Sequence, residues 1–425
     1  MRLRLTRRAF VLAHRWAGLA MALFLVLCGL TGSVLAYREA LDAWLAPELH
    51  RTTPAKTGAT LSDTLLDPFK LREMAEQSLS PPQARLDGVQ FRVAPGHTVV
   101  LWASGPGLDY DEVFIDPHDG RVQGHRLSTA ASLAPAQFVP FMFKLHHSLA
   151  LPGSWGTLLL GVVSLVWTID CFVGAGLTWP RGKPAWPKWR MAWGVKWRAG
   201  WQRANHDLHR AGGLWLWAVL LLFAWSSVMF NLRDEVYRPV MALAFDFDDS
   251  WEAVPPRAAP LDDPRLDWRE AHQAAQRVMQ AMAQRHHFTI DAEERLLLNR
   301  RRGVYIYMVH SSLDLRARIG NTAVMIDADT GEWRGQWLPT GGTPGNTVSN
   351  WLGALHMAHV GGWAWQAAVA LVGVLVSALS MTGVVIWWKK AQARRRARAA
   401  LAANRARQRA RHDRTTASSA SHTPR

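Results

Sequence analysis

His14-Arg15-Trp16-Ala17-Gly18-Leu19 opens one long apolar stretch of this chain, and His209-Arg210-Ala211-Gly212-Gly213-Leu214 opens another. Both carry a His-Arg pair with a glycine four residues after the histidine. Two further apolar stretches alternate with them. Leu145-His146 precedes the second, which closes on Gly176-Leu177-Thr178-Trp179; Leu355-His356 precedes the fourth, which closes on Gly383-Val384-Val385-Ile386-Trp387. Residues 16–36, 155–178, 211–230 and 363–388 are nearly free of charge and each about twenty residues or longer, the length that crosses a hydrocarbon core. The fold class is therefore membrane α-helical: four transmembrane helices arranged as a two-helix unit written twice.

Charge orients the spans. The net charge of +16 is concentrated in three segments: 1–15, 179–206 and 389–425 hold 24 of the 49 Lys and Arg, against Asp413 alone among the acids. The rest of the chain has 25 basic and 32 acidic residues. Basic segments beside spans stay in the cytoplasm, so both termini and the middle loop are expected inside. The two large polar segments are expected outside. Because the basic residues flank spans, they are read as topology signals and contacts with inner-membrane lipid, and no nucleic-acid partner is expected.

The polar segments repeat as well. Val113-Phe114-Ile115-Asp116-Pro117-His118-Asp119-Gly120-Arg121-Val122 parallels Val324-Met325-Ile326-Asp327-Ala328-Asp329-Thr330-Gly331-Glu332-Trp333. Each reads as a strand, a tight turn ending on glycine, and a return strand. Helical patterns near 67–79 and 267–284 precede them, with strand-like runs at 89–93, 98–103 and 303–309. The expected order is a basic N-terminus (1–15), a first span (16–36), an α+β domain (37–145), a second span (146–178), a basic Trp-rich loop (179–206), a third span (207–231), a second α+β domain (232–355), a fourth span (356–388) and a basic tail (389–425). Thr6-Arg7-Arg8-Ala9-Phe10 looks like an export signal, but the apolar run behind it has full span length, so a retained first span is expected.

Histidine is costly at lipid-facing positions and usually functional there. Seven histidines cluster at the span entrances: His14; His146 and His147; His206 and His209; His356 and His359. The spans alternate in direction, which places His14, His206 and His209 near the cytoplasmic face and the other four near the periplasmic face. Haem iron takes axial imidazoles on opposite sides of its plane, and facing helices can supply one each. One haem is expected between His14 and His209 and a second between His146 and His356. His206 and His359 sit three residues from a proposed ligand, on the same helix face, so either member of each pair could ligate; His147 points about 100° away from His146. Arg15, Arg210 and Lys144 are candidates for pairing with haem propionates. Two alternatives stay open: interfacial histidines in water-exposed turns, and a zinc or copper site, which would draw on carboxylates or thiols. Asp207 is the only acid close to the seven in sequence. Cys28 and Cys171 both fall in spans, and no C-x-x-C-H occurs to attach haem covalently.

The duplicated φ-φ-Asp-x-x-x-Gly-x-φ hairpin (φ apolar) is similar to the end of a PepSY domain. With H-R-x-x-G, K-L-H-H, H-D-L-H-R and L-H-M-x-H at the spans, residues 8–390 resemble the PepSY-associated transmembrane family. That family includes iron-regulated inner-membrane proteins and ferric-siderophore reductases with b-type haem. The resemblance implies a b-type dihaem oxidoreductase that passes electrons outward to a periplasmic acceptor, a ferric siderophore first among them. The electron donor, cytoplasmic or quinol, is not indicated, because no flavodoxin-like or flavin/NADPH module is legible. Other readings are an electron-transfer subunit for a partner enzyme and a haem-free PepSY-domain anchor or regulator that binds a protein.

Three further features carry weaker expectations. Trp186, Trp189, Trp193, Trp197 and Trp201, interleaved with Lys and Arg, read as one amphipathic helix flat in the inner leaflet. Gly341, Gly342, Pro344 and Gly345 read as a linker or lip before the fourth span. His286-His287 and Arg300-Arg301-Arg302 read as solvated surface that could meet an anionic chelate.

Overall fold

The computed structural model of the chain describes residues 2–52, 65–80, 84–316 and 319–420. Parts of both expected α+β domains (53–64, 81–83, 317–318) and the two extreme ends (residue 1 and 421–425) lie outside the described residues. In chain order, α1 (Arg2–Leu35) leads into α2 (Arg38–Leu45), α3 (Pro47–His50) and α4 (Pro68–Gln77). Strands β1 (Arg85–Leu86), β2 (Gly88–Gln90), β3 (Val99–Ser104), β4 (Glu112–Ile115) and β5 (Val122–Arg126) follow. Then come α5 (Pro135–Ser148), α6 (Trp155–Thr178), α7 (Ala185–Arg190), α8 (Trp201–Trp215), α9 (Trp217–Asn231) and α10 (Arg238–Met241). The chain continues with α11 (Trp268–His286), β6 (Ile290–Asn299), β7 (Val304–Ser311), β8 (Thr322–Asp327), β9 (Trp333–Trp337), α12 (Pro344–His356) and α13 (Gly362–Ala420).

Among the described residues, three helices are long and apolar enough to cross a membrane: Arg7–Leu35 of α1, all of α6, and Gly362–Gln408 of α13. The expected third span is instead a bent pair, α8 and α9, turned by 67° at Leu216. The bend follows Gly212-Gly213, a glycine pair of the kind at which helices kink. Counted as one span, the pair makes four.

The histidines do not all open spans as expected. His14 lies well inside α1. His146 and His147 occupy the last turn of α5, and His356 closes α12. Leu149 and Ala150 take the left-handed conformation after α5, and Ala358, Gly361 and Gly362 take it after α12. Left-handed residues end a helix, so α6 and α13 restart as separate helices. The same sequence of short Pro-started helix, left-handed break and long apolar helix thus occurs twice.

The Trp-rich loop is likewise not one helix. Trp186 and Trp189 lie on α7, Trp193 ends a 3-10 turn, and Trp197 starts another after an extended Gly194. Trp186, Trp189 and Trp193 instead pack edge to face or tilted, with successive ring centres 5.3 Å apart.

The chain divides into two compact units. The first (Met1–Val26, Val166–Leu220, Leu375–Arg425) is helical. The second (Leu27–Leu165, Leu221–Val374) contains both sheets. One antiparallel sheet runs β1-β3-β4-β5, and α4 covers one face with Leu71 and Ala75 against Leu86, Leu101, Val113 and Ile115. The other runs β2-β6-β7-β8-β9 under α11, whose Ala271, Ala275 and Met279 meet Leu296, Tyr305 and Ile326. The two hairpin turns agree: Asp116 N–H donates to Arg121 and Gly120 N–H to Asp116, as Asp327 does to Glu332 and Gly331 to Asp327. Gly120 and Gly331 have φ of +72° and +74°, a conformation costly for other residues.

The α+β segments are not two independent domains. Strand β2 leaves the first segment and pairs with β6 of the second, Val89 opposite Leu296. Asp87, between β1 and β2, accepts from Arg300 Nε at 2.6 Å. Phe91 stacks on His272 with ring centres 4.6 Å apart, and His272 Nε2 bonds Glu293 at 2.8 Å. Burial alone would raise the Glu293 carboxyl, but hydrogen bonds from His272, Tyr307 and Gln276 outweigh it and hold it down at about 2. The basic run is used internally too: Arg300 also binds the Leu261 and Asp262 carbonyls, and Arg302 binds that of Trp251, leaving Arg301 exposed. Pro344 and Gly345 start α12, with Gly345 packed on Asp246 and Phe247, so this stretch is a fitted helix start and not a lip.

Candidate cofactor site

Two imidazole pairs form, one in each unit. In the first unit His14 of α1 faces His209 of α8, with ring centres 6.1 Å apart and planes at 50°. In the second unit His146 of α5 faces His356 of α12 at 6.5 Å and 71°. With metal–nitrogen bonds of ~2.0 Å and ring centres about 1.1 Å behind the nitrogen, two imidazoles on one iron have centres ~6 Å apart. Both pairs fit that separation.

The hydrogen bonds fix which nitrogen each ring presents. His14 Nδ1 lies 2.9 and 3.0 Å from the Asp170 carboxylate oxygens on α6. His209 Nδ1 lies 3.1 Å from the Leu379 carbonyl and 3.0 Å from Thr382 Oγ1 on α13. A carboxylate and a carbonyl only accept, so both Nδ1 atoms carry the proton. In the second pair, Thr31 gives its hydroxyl proton to the Leu27 carbonyl (2.7 Å) and accepts from His146 Nδ1 at 3.0 Å. Ser226 likewise donates to Leu222 and accepts from His356 Nδ1, each at 2.7 Å. This network assigns the same tautomer to all four rings. Each is left with an Nε2 lone pair, the form a metal takes, with the other nitrogen fixed by an outer partner.

The neighbouring helices are shaped to admit the rings. A Cβ at Gly32 would lie 3.0 Å from His146 Cε1, and one at Gly383 3.1 Å from His209 Cε1. Gly174 meets His14 at 3.4 Å. Gly18 and Gly213, each four residues after a paired histidine and so on its face of the helix, have nothing within 4 Å of a built Cβ. Phe223 and Phe230 wall the second pair against His356.

Residues 11–390 match the sequence profile of the PepSY-associated TM region. The chain belongs to that family. No curated protein matches it.

Among the described residues, the remaining candidates of this PepSY-associated protein make no ring contact with the paired imidazoles. His206 is largely exposed, 3.8 Å from Asp207. His147 stacks on Phe143. His359 lies in the break after α12, with Nδ1 buried and unpartnered among the described residues. Of the expected propionate partners, Arg210 is committed to Asp207 (3.0 Å) and to carbonyls at Met191, Ala192 and Gly194. Lys144 is committed to the Thr129 carbonyl at 2.7 Å. Arg15 keeps a buried Nε without a hydrogen-bond partner among the described residues. No three His, Cys, Asp or Glu among the described residues are grouped to hold a bare ion. The donors come in twos, which suits iron already held by a porphyrin.

Reading along the chain missed Asp170, because its partner is 156 residues away. The signal was nonetheless there: it is the lone acid within α6, and an ionisable group inside a span is functional by default. Thr31 and Ser226 left no such trace, since hydroxyls are common in spans.

Proposed function

We propose that this protein is an inner-membrane b-type cytochrome with two haems, which carries electrons across the bilayer to a periplasmic acceptor, a ferric siderophore. The observation that carries this reading is the pair of imidazole couples at 6.1 and 6.5 Å, all four presenting Nε2. The positive-inside bias puts the termini and the Trp-rich loop in the cytoplasm, so His14 and His209 are the inner ligands and His146 and His356 the outer ones. The bundle reads as a duplicated two-helix unit, since the α5–α6 and α12–α13 breaks correspond and His14 and His209 open equivalent motifs. The α+β body then lies in the periplasm as two PepSY-like domains joined through β2.

When bound, haem supplies one-electron chemistry at each pair. The chain's own residues would hold it: four imidazoles would ligate, their Nδ1 partners would fix tautomer and ring orientation, and Arg15, with its unpartnered Nε, would be the remaining candidate to pair with an inner propionate. One-electron reduction of the ferric chelate yields Fe(II), which the chelator holds less tightly. Neither a protein nucleophile nor a general acid is needed.

The test is optical. The purified, reduced protein should show b-type bands that disappear on adding ferric siderophore and persist with the iron-free chelator, while a ferrous-specific dye reports Fe(II). Bands that survive the ferric chelate would mean an electron-transfer subunit for another enzyme. A protein without bands would be an anchor.

A further inference from the structure

The four Nδ1 partners are not equivalent. Three are neutral: the Leu379 carbonyl with Thr382, the Thr31 hydroxyl and the Ser226 hydroxyl. The fourth, Asp170, is a carboxylate on an apolar helix, with a side chain 11% exposed. Both of its oxygens lie within 3.0 Å of His14 Nδ1, and His14 is its only hydrogen-bond partner among the described residues. Among the described residues no arginine or lysine forms an ion pair with it. A lone carboxylate in a span is costly, and all of its described hydrogen bonding is directed at one imidazole.

We infer that Asp170 is a positioning residue that makes the His14–His209 site the lower-potential of the two, so that an electron shared between the sites favours the His146–His356 site. This rests on the haem reading above. A carboxylate accepting the Nδ1 proton draws it away from the ring and makes Nε2 a stronger donor. A stronger axial donor stabilises ferric over ferrous iron, and hydrogen bonding to the ligands is one of the protein's levers on haem potential. The second pair has hydroxyl acceptors only, which are weaker than a carboxylate, so its ferrous form is favoured by comparison. The exchange balances: the inner site loses one electron and the outer site gains it. Inside-to-outside transfer is then downhill within the chain, whatever reductant loads the inner site.

The test is a spectroelectrochemical titration of the full-length protein. Wild type should titrate in two one-electron waves. In Asp170→Asn the lower wave should move up by at least tenfold in the exchange equilibrium, about 59 mV for one electron, with the upper wave unmoved. Asp170→Glu should restore most of the separation, which a merely structural role would not require. Unchanged waves in a haem-replete Asp170→Asn protein, or movement of the upper wave, would overturn the inference.

A second measurement does not depend on that variant folding. His356→Ala should leave a single wave at the lower of the two wild-type midpoints, and His14→Ala a single wave at the upper. The reverse assignment overturns the inference while leaving the haem reading intact. A wild-type protein without haem overturns both.

Discussion

The first imidazole pair, His14 with His209, and the second, His146 with His356, share a separation and a tautomer but not a setting. The first has both rings inside helices, His14 in α1 and His209 in α8, with a carboxylate on one ring and a carbonyl and hydroxyl on the other. The second is built from the ends of two short helices, α5 and α12, in the unit that also holds both sheets. The difference teaches that the spacing of the rings and the tuning of the rings are set separately. Helix packing against glycine sets the spacing, and in our proposal the identity of a single acceptor sets the tuning.

The comparison breaks most sharply at the ligands. His14→Ala and His356→Ala should each remove one site and leave the other's absorption intact, measured as haem per polypeptide. Retention of both haems in either variant would refute the pairing. The acceptors of the second pair come next. Thr31→Ala and Ser226→Ala remove the groups that orient His146 and His356, and losses of such partners run at about 10–100-fold in metal affinity. Haem-transfer competition with an apo-globin should show that loss at the second site alone.

Glycine packing gives a smaller effect. Gly32→Ala and Gly383→Ala force His146 and His209 respectively to move by a few tenths of an ångström, an overpacking cost of about 1–3 kcal/mol. Each should broaden and shift the spectrum of its own site and not of the other. Acid should separate the units as well. Glu293 is held at about 2, well below the 4.5 of a free glutamate, so its contribution is fully present above 4.5 and is lost as pH falls toward 2. Between those limits the α+β body should lose stability in circular dichroism melts, and Glu293→Gln should flatten that dependence; an unchanged slope would show that the His272–Glu293 contact adds nothing. The smallest effect is expected at His147 and His206, stacked on Phe143 and exposed respectively. Alanine at either position should leave haem content at the wild-type value.

Much of this architecture is legible in the sequence, for reasons that differ by element. The apolar runs need no tertiary information, and α6 matches the expected 155–178 because Pro152-Gly153 and Pro180 bracket it. The two Asp-to-Gly hairpins are legible because Gly120 and Gly331 must take a positive φ. That His14 meets His209, and His146 meets His356, follows from spans that alternate in direction. Other features depend on partners far away in the chain. Strand β2 has only three residues, too few for an alternation to register, and its partner strand lies about two hundred residues on, so the joining of the two α+β segments is invisible along the chain. The breaks after α5 and α12 use left-handed Leu149, Ala150 and Ala358, residue types that carry no turn signal. The Trp ladder suggested one helix because its spacing is helical, but the extended Gly194 and the positive-φ Gly200 divide it.

The central claim is that each imidazole pair holds one iron porphyrin. Its most direct test is the haem-to-polypeptide ratio of the purified protein, by pyridine haemochrome against amino-acid analysis, after expression with ample haem. A ratio of about two in wild type, falling to about one in His14→Ala or His356→Ala and to none in the double variant, is the predicted result. A colourless wild-type protein, or a ratio that the double variant leaves unchanged, would contradict it.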